Sequence, residues 1–89
     1  MENKKYFDEE EHTQEALDAL CRAFQLSRRY HDDLIRMEYK KGKHGFMYVN
    51  VILAVTYADG TKHEEVYRHI NVDACSTASI IHSVVEKMR

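Results

Sequence analysis

The N-terminal part of the chain has the spacing of an amphipathic helix. From residue 9 to about residue 31, apolar side chains recur with the period of an α-helix. Asp8 precedes this segment and can cap it, and Glu11 adds an acid to the first turn. The non-polar arc is roughly 200° wide, about twice the arc that one core requires. Two interpretations stay open: alanines widen the arc harmlessly, or the helix packs on two sides, one of them a partner.

Three strands are predicted after this helix. Residues 35–40 alternate between apolar and charged side chains, which indicates a half-buried strand. A loop at residues 41–45 then turns the chain. Residues 46–57 are apolar at odd positions and fairly apolar at even positions, which predicts a long central strand. The third strand, at about residues 63–70, is charged and irregular, as is typical of an edge strand.

The sequence ADGT at residues 58–61 is a strong hairpin signal that allows two registers. A two-residue type I′ turn sets Tyr67 opposite Ile52. A type I turn with the glycine in a bulge sets Tyr67 opposite Val51 and Val66 opposite Ile52. We favour the second register, because it places Tyr67 with the fully apolar face of the central strand.

A last helix is predicted at about residues 74–88, capped by Asn71 or Asp73. The expected fold is therefore α+β in the order α-β-β-β-α, with a three-stranded antiparallel meander and two helices packed on one face. The other face carries Tyr48 and Ile52, and burying such a side chain is worth about 1.5–3 kcal/mol. We therefore expect a second copy or another protein to cover this face or the wide side of the first helix.

Length and composition are those of one small domain. The chain has 89 residues, of which 44% are hydrophobic and 31% are charged. We expect an N-terminal tail at residues 1–8 and a single α+β domain at residues 9–89. A chain of this size buries only roughly 60–65% of the surface that its unfolded form exposes, so a partner surface would add to a marginal core.

The charge and the cysteines narrow the class of protein. The 13 basic and 15 acidic side chains give a formal charge of −2, whereas duplex-binding modules usually carry a basic excess. The longest apolar run, residues 51–55, is far shorter than the about 20 residues that span a bilayer. No apolar signal region follows the first lysines, so we expect a cytoplasmic protein. Cys21 and Cys75 fall in apolar periodic segments, which predicts buried, reduced thiols.

The sequence contains no pattern that indicates an enzyme, a metal site or a cofactor. His63 and His69 share a strand face but stand about 20 Å apart, and neither Cys-x-x-Cys nor His-x-x-x-His occurs. Ser79, His82 and Glu86 follow one strip of the last helix, but a mid-helix serine lacks the oxyanion site and cleft that a nucleophile needs. We therefore predict no catalysis, no metal and no cofactor.

Residues 39–45 form a basic cluster with aromatic neighbours, which could contact phosphates. The side chains expected at such a nucleic-acid site are Arg28, Arg29, Lys40, Lys41, Lys43 and His44.

The element order, and the stretch Gly42-Lys43-His44-Gly45-Phe46 before a Val49-Asn50-Val51 strand, resemble the double-stranded-RNA-binding domain. That family has the order α-β-β-β-α, a Gly-x-x-His-like loop between its first two strands and lysines at the start of its last helix. Here the loop is one residue shorter, and residues 72–77 (VDACST) bring an acid to the helix start. The resemblance implies weak RNA binding, which is the alternative function.

The main expectation is a small non-enzymatic protein–protein interaction module: an adaptor, regulator or inhibitor that acts as a homodimer and binds another protein. Aromatic residues are favoured at the cores of such interfaces. The expected contacts are Tyr48, Asn50, Ile52 and Tyr67 on the sheet, and Leu26 and Tyr30 on the first helix.

Overall fold

The computed structural model describes residues 9–27, 33–73 and 75–89. The elements are α1 (Glu9–Gln25), β1 (Leu34–Lys41), β2 (Met47–Thr56), β3 (Lys62–Asn71) and α2 (Thr77–Met88). The strands form one antiparallel sheet in the order β1-β2-β3, and both helices contact the sheet and each other. The predicted α+β fold and element order are confirmed. The predicted tail at residues 1–8 lies outside the described residues.

The hydrophobic core lies between the helices and one face of the sheet. β2 contributes Val49 and Val51, at alternate positions, because successive side chains of a strand point to opposite faces. Near the helix starts, the buried Thr13 hydroxyl is 2.7 Å from the Thr77 hydroxyl, so each satisfies the other. The buried members of the core are Leu17, Cys21, Leu34, Met37, Val49, Val51, Ile70, Val72, Ile80, Val84 and Met88.

Both helices are shorter than the periodicity predicts. α1 ends at Gln25, before residue 31, and Ser27 closes a turn by donating its hydroxyl to the Phe24 carbonyl at 2.6 Å. The N-cap of α2 is Ser76, whose hydroxyl accepts from the Ser79 N–H, so the predicted start at residue 74 is wrong.

The predicted caps of α2, Asn71 and Asp73, are wrong for a tertiary reason. Asn71 ends β3, and Val72 beside it is buried in the core. The chain must therefore leave the sheet before a helix can begin. This also leaves Cys75 in the connection, exposed, while Cys21 is buried; both thiols are free. The prediction of two buried thiols is thus wrong for Cys75.

The two hairpins use the same turn. In the first, Gly45 donates to the Gly42 carbonyl at 3.1 Å and Gly42 donates to the Phe46 carbonyl at 2.8 Å. In the second, Gly60 and Tyr57 form the equivalent bonds at 2.9 and 2.8 Å. Gly45 and Gly60 have φ of 84° and 86°, a left-handed conformation that glycine adopts without steric cost.

The favoured hairpin register is half correct. Ile52 lies opposite Val66, as predicted, but Val51 lies opposite Arg68 and not opposite Tyr67. The ladder is irregular here because β3 has an additional residue. A regular strand sends positions 67 and 70 to opposite faces, whereas the bulge lets both Tyr67 and Ile70 pack against the core.

No helix in the described part of the chain is long and apolar enough to cross a membrane.

Candidate functional site

One face of the sheet carries no helix formed by the described residues, and we call it the helix-free face. The register arranges its central side chains in three rows across the strands. These rows are Arg36-Ile52-Val66, Glu38-Asn50-His69 and Lys40-Tyr48-Asn71.

An ion bridge crosses the middle of this face. The Arg36 guanidinium is 2.8 Å from a Glu38 oxygen and 2.8 Å from a Glu64 oxygen. The bond to Glu64, more than the bond to Glu38, raises the pKa of Arg36 above its ordinary value. Arg36 is on β1 and Glu64 on β3, strands about 9.6 Å apart, so the bonded side chains must extend over β2. Ile52 lies opposite Arg36 and is only 5% exposed.

The bridge changes which apolar side chain is available for contact. Ile52, expected to be exposed, is covered, and Tyr48 is half-buried. Val66, directly opposite Ile52 on the edge strand, is 53% exposed. The side chain that exposes apolar surface at the centre of the face is therefore on β3. The central strand β2 has a neighbouring strand on each side whose side chains cover Ile52, whereas the edge strand β3 has a neighbour on one side only.

Aromatic rings gather at the β1–β2 end of the face. The rings of Tyr48 and His69 are 4.6 Å apart between centroids, and His69 Nδ1 is 2.8 Å from Asn50 Oδ1. Phe46, the residue before β2 and two residues before Tyr48 in the chain, is 60% exposed. Gly42 lies beside the Tyr48 ring: a Cβ at this position would be 3.6 Å from it. The aromatic patch of Phe46, Tyr48 and His69 was not anticipated as a unit.

The predicted basic cluster surrounds this aromatic patch only in part. Lys40 shares the row of Tyr48, and Lys43 and His44 are exposed in the adjoining turn. Lys41 pairs with Met47 on the helix side of the sheet. Arg28 and Arg29 lie outside the described residues, as does Tyr30.

Two predicted contact residues lie away from the helix-free face. Tyr67 packs against the core on the helix side, with the Arg68 guanidinium 4.3 Å from its ring centroid. Leu26 is 86% exposed at the end of α1. Of the expected protein contacts, the structure thus brings together Tyr48, Asn50 and Ile52. Sequence reasoning missed Val66 and His69; the favoured register already pointed to Val66, whereas His69 depends on the bulge.

Both edges of the sheet are protected against an added strand. Gln14 of α1 donates to the Met37 carbonyl and accepts from the Tyr39 N–H, each at 2.8 Å, so it occupies hydrogen-bonding positions along β1. Gln25 donates to the Leu34 carbonyl at 2.9 Å. β3 is protected by its bulge and by charges that include Glu64. A partner is therefore better accommodated by a face than by an edge.

The β2–β3 turn holds a network of exposed polar groups. The Tyr57 hydroxyl donates to the Glu65 carboxylate, which raises the pKa of Tyr57, and the Tyr57 ring stacks on His63 at 4.0 Å. Asp59 accepts from the Thr61 hydroxyl at 2.6 Å and from its N–H at 2.9 Å, which lowers the pKa of Asp59. All these groups are exposed in the turn or in the first residues of β3, so they stabilise this end of the hairpin.

A small cavity lies between α1 and β1. Its volume of about 160 Å³ is below the roughly 300–1,000 Å³ of typical ligand pockets. Burial, and secondly the nearby Asp18, raise the pKa of the Cys21 thiol, which disfavours a reactive thiolate. The lining residues are Asp18, Cys21, Arg22, Gln25, Ile35 and Arg36.

Metal-ligating groups do not converge in the described ranges: no three His, Cys, Asp or Glu side chains are placed to hold one ion. Ser79, His82 and Glu86 are exposed on α2.

Comparison with protein-family models, with curated protein sequences and with solved structures finds no match for this chain. The resemblance to the double-stranded-RNA-binding domain therefore concerns the element order and one loop.

Proposed function

We propose that this protein is a small non-enzymatic protein–protein interaction module, an adaptor, regulator or inhibitor in the cytoplasm, that acts as a homodimer through its helix-free face. The observation that supports this proposal is Val66, a large apolar side chain that is 53% exposed in the Arg36-Ile52-Val66 row of the helix-free face. Covering it removes apolar surface from water, which is the main driving force of association.

The size of the face is consistent with a modest interface. β2 has ten residues, and with about 3.3 Å per residue and about 4.8 Å between strands the face measures roughly 14 by 33 Å. Two such faces contribute about 900 Å² of projected area, near the lower limit of about 1,000 Å² for specific interfaces. The expected dimer is therefore weak, and dissociates on dilution.

The test compares Val66→Lys with His82→Lys, which adds the same side chain to the exposed surface of α2. Native mass spectrometry and light scattering over a range of protomer concentrations measure the oligomeric state. The wild type and His82→Lys form dimers at high concentration, and Val66→Lys stays monomeric. Val66 is a better target than Ile52, because a charge at the covered Ile52 position would also disturb the fold. A Val66→Lys dimer as stable as the wild type contradicts the proposal.

The aromatic patch favours a second candidate function, the binding of single-stranded nucleic acid. Exposed aromatic rings stack on bases, and lysines neutralise phosphates. Lys40 and Lys43 form no ion pair within the described residues. Phe46 and Tyr48 supply the rings beside the basic cluster of residues 39–45, which the sequence predicted together with Arg28 and Arg29.

Fluorescence anisotropy with a labelled single-stranded oligonucleotide tests this candidate. Phe46→Ala weakens binding about tenfold, Lys43→Gln makes the salt dependence shallower, and His82→Gln on α2 leaves both unchanged. Equal affinities for all variants, or no binding at low salt, would exclude it.

A further inference from the structure

We propose that the second copy packs on the helix-free face about a two-fold axis that lies in the interface, perpendicular to the strands, and passes between the rows of Ile52 and Asn50. This inference rests on the proposed function, since it assumes that the occupant of the face is another copy. It is carried by the charge pattern along β1, which is complementary to itself about this axis.

Opposite charges meet on β1 when the face is rotated about this axis. Arg36 of one copy faces Glu38 of the other, and it does so twice because the interface is symmetric. The side chains of Arg36 and Glu38 are 45% and 27% exposed, so a second copy can reach both. Since β1 is an edge strand, the four charges alternate in sign along the rim of the interface, where charge complementarity fixes the register of association.

The same rotation covers the exposed apolar side chain of the face. Val66, which is 53% exposed, comes to face His69 of the other copy. On β2, Tyr48 faces the small side chain of Ala54, which leaves room for the phenol ring. Apolar burial on β2 and β3 therefore drives the association, and the charge pairs on β1 align it.

The ion bridge over β2 is accommodated by this axis. Arg36 lies in the row of Ile52 and Glu64 lies opposite Ala54, so the bond between them is on one side of the axis. The rotation carries the second bridge to the other side, the side of Asn50, so the two bridges lie next to each other. About an axis parallel to β2, by contrast, each bridge would meet its own copy and hold the two Ile52 side chains apart.

Perpendicular axes that pass through a row bring like charges together. An axis through the row of Ile52 places Arg36 directly over Arg36. An axis through the row of Asn50 places Glu38 over Glu38. Like charges that face each other across an interface are unfavourable.

Axes shifted by one full row leave Val66 in a poorer environment. Shifted toward the β1–β2 turn, the axis pairs Glu38 with Lys40 but sets Val66 opposite position 73, beyond the end of β3. Shifted toward the β2–β3 turn, it sets Val66 opposite the charged Glu64. The axis between the two central rows is therefore the one that pairs opposite charges and also covers Val66.

A spin label at the end of β2 locates the axis. The background is Cys75→Ser, which removes the exposed native thiol, and Thr56→Cys carries the label at an exposed position. About the proposed axis, position 56 faces position 46, so the two labels of a dimer are about 34 Å apart along the strands. Axes through the rows of Ile52 and Asn50 give about 27 Å and about 41 Å. An axis parallel to β2 sets the labels opposite each other on sheets about 10 Å apart.

Pulsed electron paramagnetic resonance measures this distance at a concentration where the wild type is dimeric. The expected distance is about 34 Å. A distance that matches one of the other axes shows that the proposed axis is wrong and leaves the dimer standing. If native mass spectrometry finds the wild type monomeric at every concentration, the proposed function fails as well.

Mixing two charge variants tests the contact of Arg36 with Glu38 independently. Arg36→Glu places acids opposite each other in the dimer and Glu38→Lys places cations opposite each other, so each variant alone dimerises several-fold more weakly than the wild type. In the mixture every introduced charge faces an opposite charge of the other chain, and dimerisation recovers. As a control, mixing Ser79→Glu with His82→Lys, both on the exposed surface of α2, changes nothing. Circular dichroism verifies that each variant is folded.

The mixture separates a contact between copies from an effect within one chain. Loss of the bond between Arg36 and Glu38 inside each copy is the same in the mixture as in the separate variants. If the mixture dimerises no better than the separate variants, Arg36 and Glu38 do not face each other across the interface.

Discussion

Truncation of the two apolar side chains that face each other on the helix-free face provides a sensitive test of its structure. Ile52 and Val66 are cross-strand partners, yet Ile52 is 5% exposed and Val66 is 53% exposed. The difference is attributed to the position of Ile52 on the central strand, under the ion bridge of Arg36. The variants Ile52→Ala and Val66→Ala therefore remove similar groups from different environments.

The expected losses follow from the number of carbons and their burial. Ile52→Ala removes three carbons, worth about 0.8 kcal/mol each when buried, so it lowers the free energy of unfolding by roughly 2.4 kcal/mol before any cavity term. Val66→Ala removes two carbons that are about half exposed, so the same coefficient gives about 0.8 kcal/mol. The two variants should differ by about 1.6 kcal/mol.

Urea unfolding followed by circular dichroism measures both losses, with the slope m as a check that the unfolded state is unchanged. Equal losses for the two variants would refute the inference that Ile52 is covered and Val66 is not. Repeating the titration at two protomer concentrations adds information on the dimer. If a second copy covers Val66, the loss for Val66→Ala rises toward about 1.6 kcal/mol at the higher concentration.

Three further predictions concern the framework of the fold. Gly45→Ala should cost about 1–2 kcal/mol of stability, because Gly45 has a positive φ. Gly42→Ala should cost less, because Gly42 has no positive φ. Thermal melting of the two variants verifies this difference. Gln14→Ala removes two bonds to the β1 backbone and should cost about 1–3 kcal/mol and increase light scattering as the edge opens. Because the pKa of Asp59 is lowered in the folded state, its carboxylate stabilises the native state above about pH 4. This contribution is lost as the pH falls through the folded-state pKa of Asp59. The difference in stability between the wild type and Asp59→Asn should therefore shrink in acid.

Much of the fold was predictable because it depends on short-range patterns. Apolar side chains at both the even and the odd positions of residues 46–57 identified a central strand. The glycine at position 60 identified the turn and hence the pairing of Ile52 with Val66. Helix ends were predicted less well. Periodicity continues beyond Gln25, but a local turn at Ser27 ends the helix, and burial of Val72 delays the start of α2. Periodicity reports which residues can lie on one face of a helix and does not determine where the helix stops.

The candidate site was predictable only in outline. The alternation of β2 correctly placed Tyr48, Asn50 and Ile52 on one face, but it did not determine their exposure. Exposure depends on Arg36 and Glu64, which are far apart in the sequence and meet only because the three strands align. The position of His69 beside Tyr48 and Asn50 likewise depends on a bulge in β3.

The sequence by itself determined the element order, the central strand and the conformation of the second turn, because each of these follows from residues that are neighbours along the chain. The tertiary structure decided that Ile52 is covered, that Val66 is exposed and that His69 joins Tyr48. These depend on the lateral alignment of three strands, which one additional residue in β3 changes, and no local pattern contains that information.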